Sequence, residues 1–308
     1  MKIIKQRFPI MMPDGHYLSV NQFEPANPHA LILVCSAAGV GQYYYFGIAR
    51  YLATKGYTVI TFDCRGIGES SFSEKKHKIE AGLNQLSQDF EHLTDWVSDN
   101  FPYLPMAILG HSLGGILPMF AKNNDKFSAI FTVGTQMAYH KDWGFSNIQR
   151  LNIYFHWHII LPVLTNIFGY FPGKTLKLGI ENLPASLVRD IHNRRKYSNI
   201  FTFLKTIGLQ SYHLQICCPV MAMTMADDAI CTPKALNRFF DELSNATITK
   251  QIIHPEEVNT DKIGHLHFFK RKFSDSLWLK VGAWFDAVLL EEKNLKSETY
   301  ITHRNNES

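Results

Sequence analysis

The chain has 308 residues, 46 % of them apolar, and a formal net charge of +4. That apolar share supports a sizeable core and excludes a disordered chain; the length suits one large α/β domain with an insertion, or two small domains. The charge is mild, and no Lys/Arg stripe with interleaved aromatics is present, so the sequence gives no sign of nucleic-acid binding.

Five cysteines, Cys35, Cys64, Cys217, Cys218 and Cys231, are odd in number and sparse. They read as buried, reduced thiols of a cytoplasmic protein. None is in C-x-x-C spacing, so no zinc site is expected. The first twelve residues lack the long apolar stretch and small-residue cleavage site of a signal peptide.

Residues 2–11 and 16–24 read as two strands joined at the turn Pro13-Asp14-Gly15. Leu31 to Cys35 is a continuous apolar run, the pattern of a strand buried on both faces. It leads into the small-residue loop Ser36-Ala37-Ala38-Gly39-Val40-Gly41. A helix over 44–54, stopped by Gly56, precedes a second buried strand over 57–62. That strand ends in Asp63-Cys64-Arg65-Gly66-Ile67-Gly68-Glu69-Ser70, whose Asp63 and Arg65 suit structural ion pairs or loop hydrogen bonds. Lys75 to Lys78 reads as a solvated loop. Leu86, Phe90, Leu93 and Val97 share one face of a helix over 85–99.

Residues 106–122 form the centre of the pattern. A buried strand, Met106 to Leu109, enters Gly110-His111-Ser112-Leu113-Gly114, and a helix is expected from Ser112 onward. A G-x-S-x-G turn between strand and helix places a serine at a strained apex. Side chains two residues either side would clash there, so both positions are glycine. The hydroxyl then stands where N–H groups favour developing negative charge. A further strand is expected over 128–133.

Residues 135–213 break the strand–helix alternation. Leu151 to Phe171 is uncharged, aromatic-rich and 21 residues long. That length invites a membrane span, but Asn152, His156, His158, Pro162, Asn166 and Gly169 favour a helical lid. His156 and His158, two apart, suit lid surface or cavity lining and not metal ligands. Arg189 to Lys196 reads as the solvated face of a lid helix. Alternation resumes with a strand over 219–225, the turn Ala226-Asp227-Asp228-Ala229-Ile230, and a helix over 234–243 capped by Thr232-Pro233. A strand over 247–253, the stretch Ile263-Gly264-His265-Leu266-His267, and a helix over 275–290 follow. The tail over 291–308 is polar.

Strands alternating with helices imply a mostly parallel sheet with helices on both faces and functional groups at the strand carboxyl ends. Three such groups occur in the order Ser112, an aspartate of the 227–228 pair, and His265. The order, with Gly-His-Ser-Leu-Gly-Gly at 110–115, Asp-x-Arg-Gly-x-Gly-x-Ser at 63–70, Asp-Asp-x-Ile at 227–230 and Gly-His at 264–265, resembles the α/β-hydrolase superfamily over about residues 16–135 and 215–290. The Ile-Gly-His-x-x-Phe-Phe stretch also resembles bacterial hydrolases that carry Gly where this chain has His267.

The resemblance implies a core over 1–134 and 214–290, a helical lid over 135–213, and a tail over 291–308. It implies a nucleophile Ser112, a base His265 preceded by Gly264, and an acid at Asp228 in preference to Asp227. It also implies an oxyanion hole from the N–H groups of Leu113 and Ala38, with Ala37 the alternative. The expected activity is hydrolysis of an ester-type acyl bond through an acyl-enzyme, on a small-molecule substrate with an apolar group, without metal or organic cofactor. Acyl transfer and non-catalytic ligand binding are the alternatives; peripheral membrane contact through the lid is a further expectation. Dehalogenase and epoxide hydrolase chemistry is disfavoured, because those relatives carry Asp where this chain has Ser112.

Overall fold

A computed structural model describes residues 2–71 and 80–289. The lysine cluster at 75–78 and the tail over 291–308 lie outside the described residues.

Eight strands form one sheet: β1 (Ile4–Met11), β2 (Tyr17–Glu24), β3 (Ala30–Cys35), β4 (Tyr57–Phe62), β5 (Met106–His111), β6 (Phe127–Val133), and, after a short two-stranded ribbon, β9 (Val220–Met225) and β10 (Ile248–Ile253). The ribbon is β7 (Tyr170–Phe171) with β8 (Leu183–Pro184). The order across the sheet is β1-β2-β4-β3-β5-β6-β9-β10. β1–β2 and β2–β4 are antiparallel; every pair from β4 to β10 is parallel.

The continuous apolar runs behave as their composition requires. In β3, Leu31, Leu33 and Cys35 enter one core and Ile32 and Val34 the other. β5 divides likewise, with Met106 and Ile108 on one side and Ala107 and Leu109 on the opposite side. A strand covered on both faces has no solvent side to make polar. The first core receives α2 (Leu83–Asn100) through Leu86, Phe90, Leu93 and Val97, and α7 (Pro233–Phe240) through Leu236, Phe239 and Phe240. The second receives α1 (Phe46–Thr54) and the helix over 277–289. Gly56, at φ +95°, ends the turn after α1 where a side chain would be strained.

Between β6 and β9 lies the insertion: α3 (Asn147–Phe155), a π-turn (His156–Ile160), α4 (Leu161–Phe168), the ribbon, α5 (Ala185–Arg194) and α6 (Ile200–Thr206). Gly169 at φ +74° stops α4. No described helix is long and apolar enough to cross a membrane.

Three expectations are corrected. After Ser112 the chain forms two 3₁₀ turns, Ser112–Gly115 and Leu117–Met119, instead of the expected helix. Gly114 and Gly115 disfavour helix, and Pro118 has no N–H with which to continue one. Arg189 to Lys196 is solvated only in part: Arg189 and Lys196 are exposed, but Arg194 and Arg195 are buried, and the Asp190 carboxylate accepts from the Leu83 N–H at 2.8 Å, so α5 packs against the start of α2. Cys217 is exposed and Cys218 half-buried, because they occupy the connection ahead of β9; Cys35, Cys64 and Cys231 are buried.

Candidate active site

β5 delivers Ser112 to the sheet's carboxyl edge. The serine has φ +51°, a left-handed conformation rare for a residue with a side chain. The glycines beside it admit the turn. A Cβ on Gly114 would meet the Cys35 carbonyl oxygen, and one on Gly110 would meet the Gly115 backbone. The strained serine is thus held by backbone-to-backbone packing that no side chain could share.

Two loops far apart in sequence complete the group. His265 Nε2 lies 3.0 Å from Ser112 Oγ, and His265 Nδ1 lies 2.7 Å from Asp228 Oδ2. The Asp228 side chain is 1 % exposed and that of His265 14 %. Asp228 Oδ1 also accepts from the Ile230 and Cys231 N–H groups at 2.8 and 2.9 Å. Burial pushes the Asp228 carboxyl up, but His265 and the two N–H groups outweigh it and hold its pKa below the usual range. The aspartate therefore remains charged opposite the imidazole.

The neighbouring carboxylate does different work. Asp227 accepts from the Ile263 and Gly264 N–H groups at 2.9–3.0 Å, pinning the loop that carries His265. His267 opens the next 3₁₀ turn, His267–Phe269.

His111, next to the serine, is fully buried, and burial pushes its pKa down to about 3, so it is neutral. Its Nε2 lies 2.9 Å from the His265 carbonyl, and its Nδ1 lies 2.8 Å from Tyr45 Oη. A carbonyl only accepts, so Nε2 carries the proton. Nδ1 is then bare and accepts from the Tyr45 hydroxyl. Tyr45 Oη in turn accepts from the Ala37 N–H at 2.9 Å. One chain of hydrogen bonds thus runs from the loop after β3, through Tyr45 and His111, to the backbone of His265. It also commits the Ala37 N–H to the Tyr45 hydroxyl.

Gly134, just past β6 at φ +64°, makes room for the histidine. A Cβ there would lie 3.1 Å from His265 Cε1 and 3.4 Å from Asp228 Oδ2. Thr135 Oγ1 donates to the Ser112 carbonyl at 3.1 Å. Gly134 is visible in the sequence as a small residue at a strand end; Tyr45 carries no sequence signal, because its partner His111 is 66 residues away.

The Asp63 and Arg65 turn supports the fold beside the site. Asp63 accepts from the Gln42 N–H at 2.7 Å and the Glu69 N–H at 3.1 Å. Arg65 forms a bidentate pair with Asp89 of α2, at 2.5 and 2.8 Å, and also pairs with Asp14. Among the described residues no group of three or more His, Cys, Asp or Glu is placed to hold a metal ion.

The sequence profile of the family Hydrolase_4, described as serine aminopeptidase S33, matches residues 26–200, more than half of the chain. Human monoglyceride lipase is 31 % identical over 105 residues, 34 % of each chain, and the rat enzyme 29 % over 109 residues. The likeness spans about a third of the length of these curated relatives. Among solved structures, a soluble variant of monoglyceride lipase from Saccharomyces cerevisiae, in complex with a substrate analogue, superposes with a TM-score of 0.69 at 16 % identity, over 93 % of this chain and 96 % of that one. A carboxyl esterase from Bacillus coagulans gives 0.65 at 12 % identity, over 94 % and 100 %. With the sheet order, the strand-end site and the profile match in agreement, the chain belongs to the Hydrolase_4 (serine aminopeptidase S33) family of α/β hydrolases.

Proposed function

We propose that the protein is a serine hydrolase that cleaves ester-type acyl bonds of small substrates through an acyl-enzyme. The observation that carries this reading is the unbroken chain Ser112 Oγ–His265–Asp228, at 3.0 and 2.7 Å. A neutral hydroxyl is a weak nucleophile; a base at hydrogen-bond distance removes that limit. Ser112 Oγ attacks the ester carbonyl as its proton passes to His265 Nε2. Asp228, held ionised, stabilises the imidazolium and keeps Nδ1–H pointed at itself. The oxyanion is received by the N–H groups of Leu113 and Ala38; each such donor is worth roughly 3–4 kcal/mol in the transition state. His265 then protonates the leaving alcohol, and water repeats the sequence to release the acid.

The insertion over 135–213 acts as a lid over this edge, and its aromatic content favours an apolar acyl group. The human relative's name, monoglyceride lipase, supports an ester of that kind. The buried thiols Cys35, Cys64 and Cys231 accord with a reducing, cytoplasmic setting. Labelling with a fluorophosphonate tests the reading. Wild type should label, Ser112→Ala and His265→Ala should not, and p-nitrophenyl esters should turn over only with wild type. Folded wild type that neither labels nor hydrolyses would leave non-catalytic binding.

A second observation favours contact with lipid. α3 buries none of its residues, and Ile148, Leu151 and Ile167 are 84, 71 and 69 % exposed. An exposed apolar face of that extent on helices suits an interface between water and lipid. Failure to co-sediment with phosphatidylcholine vesicles would remove this reading.

A further inference from the structure

A cavity of about 270 Å³ lies inside the insertion, between α3, the segment over 140–145 and the end of α5. None of Ser112, Asp228 and His265 lines it. Its walls are of two kinds. Trp143, Phe145 and Tyr154 supply apolar surface; Arg150, Arg195 and Lys196 supply positive charge, joined by His140 and His158. Among the described residues no carboxylate lines it.

Arg150 is fixed by donating to the Phe145 and Trp143 carbonyls, at 2.9 and 2.7 Å. Arg195 is 5 % exposed, with its guanidinium 5.8 Å from the Trp143 ring centre. The nearest acid in sequence, Asp142, is committed to Arg238 and Lys234. Trp143 is 8 % exposed, and its indole N–H has no acceptor among the described residues. A buried donor without an acceptor costs free energy that a ligand oxygen would recover. Burial lowers the His158 pKa, and Arg195, Lys196 and His140 lower it further, which marks a positive local potential.

We propose that this cavity binds an oxyanion carried on an apolar body, and that the occupant is the carboxylate end of an acyl chain. The wall chemistry gives the oxyanion: cations and the Trp143 N–H, with no carboxylate among the described residues of the wall to repel it. The aromatic surface gives the apolar body. The choice of carboxylate over phosphate rests on the proposed ester hydrolysis, which releases an acid. Two hydrogen bonds couple the cavity to the active site. Thr232 Oγ1 donates to the Asp142 carbonyl at 2.7 Å, and the Gly144 N–H to the Ala229 carbonyl at 2.8 Å. The wall of the cavity therefore rests on the turn that presents Asp228.

Calorimetric titration of the full chain tests this, with decanoate, decyl phosphate and decanol below their aggregation limits. Ser112→Ala is titrated beside wild type, so binding is read whether or not the protein is a hydrolase. Decanoate should bind both saturably. Arg150→Gln with Lys196→Gln should weaken it at least about tenfold, as expected for lost charge-assisted hydrogen bonds. Trp143→Phe, which keeps the ring and removes the N–H, should weaken it several-fold. Thermal melts like wild type establish that the variants are folded. Decanol binding as tightly as decanoate, or variants that bind decanoate unchanged, overturns the oxyanion site. Decyl phosphate binding ahead of decanoate overturns the carboxylate as its occupant.

Discussion

β5 and α3 are both rich in apolar residues, and the molecule treats them oppositely. Every residue of β5 is buried, and no residue of α3 is. β5 lies between β3 and β6 with helices above and below, whereas α3 packs chiefly on its own continuation through the π-turn. The difference places rigidity and adaptability in separate regions. The serine, held at positive φ between glycines, depends on neighbours that cannot move. The insertion carries its apolar residues to the surface, where a change costs the fold little.

The sharpest way to break that contrast is at the sheet edge. Ser112→Ala should lower ester turnover at least about 10⁴-fold. Its denaturant midpoint should stay near that of wild type; a large loss of stability would mean that the hydroxyl serves the fold instead of the chemistry. Next in size is the buried pair below the edge. Asp89→Ala leaves the Arg65 guanidinium buried beside only the half-exposed Asp14, and should cost about 3–5 kcal/mol in urea unfolding.

Tyr45→Phe removes the hydroxyl that joins Ala37 to His111 and should lower kcat about 10- to 100-fold with little change in KM, because it touches no substrate. A pure KM effect would place Tyr45 in substrate binding.

Acid sharpens the comparison from another side. The pKa of His111 is lowered from 6.5 to about 3, so the unfolded chain binds its proton first. Stability from this group is complete above pH 6.5 and is lost as the pH falls towards 3, at up to roughly 1.4 kcal/mol per pH unit. His16 and His213 shift in the same direction, while Asp63 and Asp190, raised by burial, oppose the trend at more acid pH. Urea midpoints at pH 7 and pH 5 should fall with acid, and by less in His111→Gln.

The smallest effect belongs to the insertion. Ile148→Gln with Leu151→Gln should alter stability by no more than about 0.5 kcal/mol per site, yet reduce vesicle co-sedimentation. A loss of several kcal/mol would mean that this face is packed in solution.

The strands of the core were legible because each is a short apolar run bounded by turn residues; strands expected over 57–62 and 128–133 are Tyr57–Phe62 and Phe127–Val133. That Ser112, an aspartate of the 227–228 pair and His265 lie together was legible because strand ends in such a sheet share one edge, so order along the chain stands in for proximity. The buried Arg194 and Arg195 were not, since a basic run looks solvated until a neighbouring element covers it.

By itself the sequence determined which segments are strands, which residues can turn at Ser112, and which chemical groups reach the edge. Those are local matters of apolar periodicity, glycine sterics and side-chain chemistry. Only the tertiary structure decided that Asp227 clamps a loop while Asp228 faces the histidine, that Tyr45 and His111 brace His265, and that Trp143 and Arg195 meet across a cavity. Each of these joins residues whose separation along the chain carries no information, because their contact is set by how the elements pack and not by what either residue is.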